Sequence, residues 1–244
     1  MFIDSLIAAW GMLISLDSTL FEIIFRSLAL SAMACLLACV LGIASGSWLA
    51  LVDFRGRGAV LTVLNTSLAL PSVVVGLVVY LLLSRSGPLG FLGWLYSFKA
   101  MVFAQTVLVL PVVIALTRQL IERAEGQQGE GLRAMGAGTA VRGVLLAWNE
   151  RFALLTVVLT AFGRAVSEVG AVMIVGGNME GFTRVMTTAI ALETSKGDLP
   201  IALGLGVVLL AVVLLLNILM GVVLRRTGGS AVPGNDARVM RGAA

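Results

Sequence analysis

The chain has 244 residues, of which 59% are hydrophobic and 12% are charged, and its mean hydropathy is +1.04. A composition this apolar excludes a water-soluble single domain and predicts an all-α polytopic membrane protein. The 17 Lys and Arg residues against 13 Asp and Glu residues give a formal net charge of +4. The sequence has no polar domain on which these cations could cluster, so we expect no nucleic acid as a partner.

Histidine is absent from the sequence, which excludes histidine-based metal sites, histidine general bases and Ser-His dyads. Cys35 and Cys39 are one helical turn apart in an apolar run. We expect them to be buried thiols that pack as small hydrophobes, because a disulfide within one helix would constrain little. No Lys or Arg precedes Arg26, so the sequence lacks a positive n-region and we expect no cleaved signal peptide.

Both ends of the chain are predicted to lie outside the membrane core. From Phe2 to Leu16, apolar residues recur at i, i+3 and i+4, but the segment is too short and one-sided to span. We therefore predict an N-terminal interfacial helix at 1–19. The Gly-, Ser- and Pro-containing residues 227–244 predict a disordered cytoplasmic tail.

Between the two ends, residues 20–226 predict a transmembrane domain of five spans, because a helix needs about 20 apolar residues to cross a bilayer. Pro71 in the second span and Pro111 in the third predict an interruption or kink at each position. The predicted spans are Leu20–Val52, Ala59–Leu83, Phe98–Ile121, Phe152–Val175 and Leu199–Leu224.

The distribution of cations predicts the orientation, because loops that face the cytoplasm are enriched in Lys and Arg. With the N-terminus outside and the C-terminus in the cytoplasm, the outer loops hold Arg85, Lys99, Arg184 and Lys196. The predicted cytoplasmic cations are Arg55, Arg57, Arg118, Arg123, Arg133, Arg142, Arg151, Arg225, Arg226, Arg238 and Arg241.

A polar, Gly-rich stretch lies between the third and fourth spans, on the cytoplasmic side in this topology. Gly136 removes a side chain where another backbone could approach closely, and Ala134 and Ala137 keep the same surface shallow. Arg133 and Arg142 supply charged hydrogen-bond donors at the edge. The pattern fits a surface on which another protein docks, and it also fits a solvated loop with an amphipathic helix.

Arg164 and Glu168 are the only ionisable residues well inside a predicted span. Charges at that depth are costly and usually face a protein interior or a water-filled path. In one interpretation they line or gate a pathway in which Arg164 meets an anionic substrate. In the other they pair as i and i+4 neighbours and serve packing. The full set of candidate pathway or gate residues is Arg164, Ser167, Glu168, Gly170, Pro71 and Ser72.

The run Glu130-Gly131-Leu132-Arg133-Ala134-Met135-Gly136, a Glu followed six residues later by a Gly, resembles the cytoplasmic EAA loop of ABC importer permeases. From about Leu20 to Arg226 the chain is similar to the molybdate, sulfate and tungstate group of these permeases. The runs Gly163–Ala171 and Thr187–Asp198 look most like the tungstate permeases. Two departures are Glu130-Gly131-Leu132 in place of Glu-Ala-Ala, and Asn149 in place of the closing Pro.

The resemblance implies a type I ABC importer permease fold with five transmembrane helices, in a bacterial or archaeal cell (inner) membrane. It implies a homodimer, cytoplasmic ATPase subunits that dock on a coupling loop at 125–150, and an extracytoplasmic oxyanion-binding protein. No GxxxxGK[ST] motif occurs, so we expect ATP and Mg²⁺ on the partner ATPase and no cofactor on this non-catalytic chain. The implied ATPase-coupling residues are Glu130, Arg133, Ala134, Gly136 and Ala137.

The implied substrate is tungstate, with molybdate or sulfate as the alternative. An ATP-independent transporter or channel is a separate class that the sequence leaves open. A lipid-modifying enzyme would need several convergent polar side chains in or near the spans, and the pair Arg164 and Glu168 is too sparse for that role.

Overall fold

The computed structural model describes residues 18–226, and this part of the chain is helical without strands. A short 3₁₀ turn at Gly90–Leu92 lies in the connection before the fourth helix. The helices of the described region are α1 (Ser18–Leu51), α2 (Arg57–Leu68), α3 (Ser72–Leu83), α4 (Phe98–Ala134), α5 (Thr139–Asn149), α6 (Arg151–Val166), α7 (Gly170–Gly176), α8 (Met186–Lys196) and α9 (Leu199–Arg226).

Three of these helices, α1, α4 and α9, are long and apolar enough to cross a membrane. Two bent pairs, α2 with α3 and α5 with α6, pass the same test together, so the described region has three candidate spans or up to five. The predicted class, an all-α polytopic membrane protein, is confirmed. The predicted interfacial helix at 1–19 lies outside the described residues except for Ser18 and Thr19, which begin α1, and the predicted tail at 227–244 lies wholly outside them.

The two prolines have different effects. Pro71 is the residue before α3, with φ −61° and ψ 133°, and α2 and α3 meet there at a bend of 106°. Proline suits this position because it has no amide hydrogen to donate. Pro111 lies inside α4, which continues through it to Ala134. The predicted interruption of the third span at Pro111 is therefore wrong: one lost hydrogen bond does not end a helix whose Val109 and Val113 are fully buried.

The predicted fourth span, Phe152–Val175, is not one helix. α6 ends at Val166 and α7 begins at Gly170, so a break of three residues lies within the predicted span. The Glu168 carboxylate accepts a hydrogen bond of 3.1 Å from the Ala171 amide in the first turn of α7. A side chain that satisfies a free amide at a helix start stabilises a new helix there.

The core lies where α1, α4 and α6 cross. Gly42 and Gly46 on α1 allow the close crossing, because a Cβ at these positions would lie 2.7 Å from Val113 Cγ1 and 2.8 Å from the Ile114 carbonyl oxygen on α4. Both cysteines are free and buried in this core, which confirms their predicted packing role. The buried core residues are Cys35, Ala38, Cys39, Val109, Val113, Val157, Ala161 and Ala165.

Candidate functional site

The predicted coupling loop at 125–150 folds as a helical hairpin. Its first part is the end of α4, and its second part is α5. At the turn, the Gly136 amide donates to the Arg133 carbonyl (2.9 Å) and the Ala137 amide donates to the Leu132 carbonyl (3.0 Å). This is the Schellman arrangement, which requires a left-handed residue after the helix. Gly136 supplies it with φ +79°.

The five predicted coupling residues all lie at the tip of this hairpin. Glu130, Arg133, Ala134 and Gly136 are exposed, and Ala137 is half-buried. A Cβ at Gly136 would meet nothing within 4 Å. Within this chain the glycine is therefore required by its backbone conformation, and the close approach predicted for it needs a second protein.

Large apolar side chains on the hairpin are exposed, a feature that the sequence analysis missed. Val141, Leu145 and Trp148 recur at i, i+4 and i+7 on one face of α5, while Arg142 and Leu146 on another face are buried. One apolar face of this short helix packs inside the chain, and its second apolar face is left exposed, where another protein can bind. We call the exposed apolar residues of the hairpin the tip patch; they are Met135, Val141, Val144, Leu145 and Trp148.

The arginines of the hairpin are held by one carboxylate. Arg133 and Arg142 both donate to Glu125 of α4. Arg142 is only 8% exposed, so its predicted place at the edge of a docking surface is wrong. Its guanidinium points toward α4, where Glu125 is its ion-pair partner in the described part of the chain.

A second candidate site lies where two helix breaks meet. The break between α2 and α3 lies beside the break between α6 and α7. A Cβ at Gly170 would lie 2.7 Å from Val73 Cγ2 and 2.9 Å from Ser72 Oγ. The structure thus brings Pro71 and Ser72 together with Glu168 and Gly170, which are distant in the sequence.

Arg164 and Glu168 form an ion pair, with 2.9 Å between Arg164 Nη1 and Glu168 Oε2. The Glu168 side chain is 2% exposed and that of Arg164 is 40% exposed. The Thr187 hydroxyl donates to the Glu168 carbonyl (2.7 Å), so α8 is tied to the same break. The predicted pairing is therefore confirmed, and Arg164 keeps an accessible part of its guanidinium.

Arg164 also lines a small cavity of about 140 Å³ between the α2–α3 break and α4. Apart from Arg164 and Ser67, the side chains around it are apolar: Leu68, Leu70, Val75, Val107, Leu108, Pro111 and Val112. A water molecule takes up about 30 Å³, so a small ion fits this volume. A charged group beside apolar side chains is typical of ligand sites, but this cavity is smaller than the usual ligand pocket of about 300–1,000 Å³.

Ser167 lies apart from this cavity. It lines a different cavity of about 260 Å³ between α6 and α9, with Asn217 and Met220. Its hydroxyl donates to the Arg164 carbonyl (3.1 Å). Ser167 and Arg164 therefore line different cavities, although both were predicted to lie on one pathway.

Gln105 is a buried polar residue that the sequence analysis missed. It is 1% exposed, and its Nε2 donates to the Ala165 carbonyl and to Ser31 Oγ (3.4 Å), which joins α1, α4 and α6. Its Oε1 has no hydrogen-bond partner within residues 18–226. The sequence does contain a sign of this role, because Gln105 places an amide side chain within an apolar predicted span.

No family model matches the chain, but its sequence is similar to those of several known proteins. The chain is 42% identical over 211 residues to the tungstate uptake system permease protein TupB of Peptoclostridium acidaminophilum, covering 86% of this chain and 92% of that protein. It is 40% identical over 198 residues to a probable anion ABC transporter permease protein of Haloferax volcanii, covering 79% and 85%. It is 36% identical over 214 residues to the tungstate uptake system permease protein TupB of Campylobacter jejuni subsp. jejuni, covering 88% and 90%. The chain therefore belongs to the family of ABC transporter permeases that includes the tungstate uptake permeases.

Proposed function

We propose that this chain is the permease subunit of an ABC importer that carries tungstate into the cytoplasm. The observation that carries the proposal is its similarity, over 86% of its length, to a tungstate uptake permease. The chain has no GxxxxGK[ST] motif, so ATP hydrolysis is assigned to a separate ATPase subunit, which holds ATP and Mg²⁺.

We propose five spans, with the N-terminus outside and the C-terminus in the cytoplasm, preceded by an interfacial helix. The spans are α1, α2 with α3, the membrane part of α4, α6 with α7, and α9. We pair α6 with α7 and not with α5, because α5 packs on the end of α4 as the second helix of the hairpin. In this topology the end of α4 and all of α5 lie in the cytoplasm. The positive-inside rule supports it, because Arg118, Arg123, Arg133 and Arg142 then lie at or beyond the cytoplasmic surface.

The hairpin is the proposed docking site for the ATPase. Glu130, Arg133, Ala134, Gly136 and Ala137 form its tip, and the tip patch supplies apolar area for the contact. An exposed Trp on a helix end is a common energetic centre of a protein interface; Trp148 is 68% exposed. The described part of each chain offers one such hairpin, so we propose that two copies of this chain, as a homodimer, dock two ATPase subunits.

The Arg164 cavity is proposed to lie on the translocation pathway. Closure of the ATPases moves the paired hairpins and switches the spans between inward-open and outward-open states. An external binding protein delivers the oxyanion to the outward-open state. Arg164 offers a positive charge at membrane depth, and Glu168 at 2.9 Å partly offsets it. A weakened positive site attracts a dianion without holding it.

Tungsten accumulation in cells with and without the gene tests the substrate. The assay uses low external tungstate, with excess molybdate or sulfate as competitor. We expect deletion to remove an uptake that molybdate barely inhibits. Unchanged tungsten uptake together with reduced molybdate or sulfate uptake would overturn tungstate and keep the importer class. Molybdate is the main alternative because both ions are tetrahedral dianions of nearly the same size.

Flux through the chain alone tests the rival class. A channel or secondary transporter would pass the oxyanion without an ATPase. We expect vesicles that contain only this chain to show no tungstate flux, and vesicles with the ATPase, the binding protein and ATP to accumulate it.

A further inference from the structure

One carboxylate joins the two helices of the hairpin. Glu125 Oε1, on α4, accepts from Arg142 Nη1 on α5. The same oxygen accepts from Arg133 Nη2 at 2.7 Å and Nε at 3.2 Å. The side chains of Glu125 and Arg142 are 12% and 10% exposed, whereas that of Arg133 is 63% exposed. A nearly buried ion pair therefore connects α4 to α5, and an exposed arginine of the tip completes it.

Gly129 makes room for this carboxylate. A Cβ at Gly129 would lie 2.5 Å from Glu125 Cδ, 2.7 Å from Oε1 and 2.9 Å from Oε2. Glycine in a helix interior is unfavourable relative to alanine. Here its missing side chain lets the Glu125 side chain lie along the helix and reach α5.

The rest of the contact between α4 and α5 is small and mostly apolar. Its other polar bond, from Asn149 Nδ2 of α5 to Gln128 Oε1 of α4 (2.9 Å), joins two exposed side chains. Ile121 and Ala124 of α4 pack on Leu146 of α5, and all three are buried. Such a contact does not by itself fix the rotation of an 11-residue helix. A buried charge pair does, because any rotation that separates the partners leaves a charge buried without a counter-ion. Arg142 Nε and Glu125 Oε2 have no hydrogen-bond partner within residues 18–226, so the pairing of the two side chains rests on the bond from Arg142 Nη1 to Glu125 Oε1.

We propose that Glu125 is a positioning residue for energy coupling: through Arg142 it holds α5 on α4, so that the hairpin moves with α4 as one rigid body. The inference rests on the proposed function, because coupling requires an ATPase at the tip. A hairpin that bends at its base absorbs the ATPase motion and does not pass it on. Loss of the pair therefore separates ATP hydrolysis from transport.

The test uses the complete transporter, with its ATPase and binding protein, in proteoliposomes, and measures tungstate imported per ATP hydrolysed. We expect Glu125→Gln to lower this ratio by about tenfold, within the usual range of coupling between sites, while ATP hydrolysis persists. Arg142→Met should give the same loss. The double variant should be no worse than either single variant, because both remove one interaction.

Glu122→Gln is the matched control. Glu122 is also on α4, one turn nearer the membrane, and its ion pairs in the described part of the chain are with Arg118 (2.8 Å) and Arg57 (2.6 Å), neither of which is on α5. We expect it to keep the wild-type ratio. Where Glu125→Gln or Arg142→Met does not assemble, Arg142→Lys retains the charge but loses the planar fork, and a smaller fall in the ratio is expected.

Three results would overturn the inference: a wild-type ratio in both single variants, an equal fall in Glu122→Gln, or losses that add in the double variant. These results are distinct from failure of the proposed function. A wild-type complex that imports molybdate and not tungstate would overturn the substrate alone, and the ratio is then measured with molybdate. A complex that imports no oxyanion with ATP would overturn both.

Discussion

At the residue scale, two properties of position 136 favour glycine, and substitutions can separate them. Its φ of +79° disfavours any residue with a Cβ, by roughly 1–2 kcal/mol. The open space beside it is the second property if an ATPase surface lies there. Asparagine tolerates the left-handed conformation but fills the space, whereas alanine is strained but small.

We therefore expect Gly136→Asn to reduce ATPase-coupled uptake more than Gly136→Ala, and Gly136→Trp to abolish it. Membrane insertion should be unchanged in all three variants. Tungstate uptake in proteoliposomes and the amount of protein in membranes measure the two effects. Normal uptake with Gly136→Trp would refute docking at this position.

Arg164 and Glu168 also allow their two interpretations to be separated. Removing one partner leaves a buried charge, which costs about 3–5 kcal/mol, so Arg164→Gln should lower the amount of folded protein. The double change Arg164→Gln with Glu168→Gln removes both charges and keeps the acceptor for the Ala171 amide.

If Arg164 meets the substrate, the double variant should fold but import tungstate at least about tenfold more slowly, by analogy with other lost charge contacts. Thermal unfolding in detergent measures the recovery of stability, and uptake measures the loss of function. Full recovery of both would assign the pair to packing.

At the element scale, α5 has more apolar surface than its own fold uses. Its buried face contains Leu146, and its exposed face contains Val141, Leu145 and Trp148. The exposed face is large enough to matter because a single interface tryptophan can contribute 2 kcal/mol or more, roughly a factor of 30 in affinity.

We expect Trp148→Ala to weaken retention of the ATPase during purification of the complex. Phe91→Ala is the matched control, because Phe91 is also exposed, at 82%, but lies in the 3₁₀ turn before α4, at the other end of that helix. Equal loss of the ATPase with both variants would indicate a general defect, and no loss with Trp148→Ala would place the contact elsewhere.

The elements also show what the sequence could predict. Hydropathy and length were enough to locate the apolar segments. The i, i+4 spacing was enough to suggest that Arg164 pairs with Glu168. The break at Ser167–Val169 was missed because the segment is apolar enough for a single span. The hydrogen bond from the Ala171 amide to the Glu168 carboxylate, which stabilises the start of α7, is visible only in the structure. The pairing of Glu125 with Arg142 was also out of reach, because it depends on where the turn at Gly136 directs α5.

For the whole molecule, the proposed orientation has a direct test. Ser86 and Gln127 are exposed residues on opposite sides of the membrane in the proposed topology. A membrane-impermeant maleimide should label Ser86→Cys in intact cells, and Gln127→Cys only after permeabilisation. The native thiols should give little background because both are buried. The reverse pattern would invert the topology.

The unbroken course of α4 has a geometric consequence. Its 37 residues make a rod of about 55 Å at about 1.5 Å per residue, longer than the hydrocarbon layer of about 30 Å. In the proposed topology, one end of this rod lies at the proposed ATPase docking surface and the other at the outer face. A tilt of about 10° around its midpoint displaces each end by about 5 Å in opposite directions, given that length. Under this proposal, a small inward pull at the docking end of α4 becomes an outward separation at the far end, with no intermediate part to relay it.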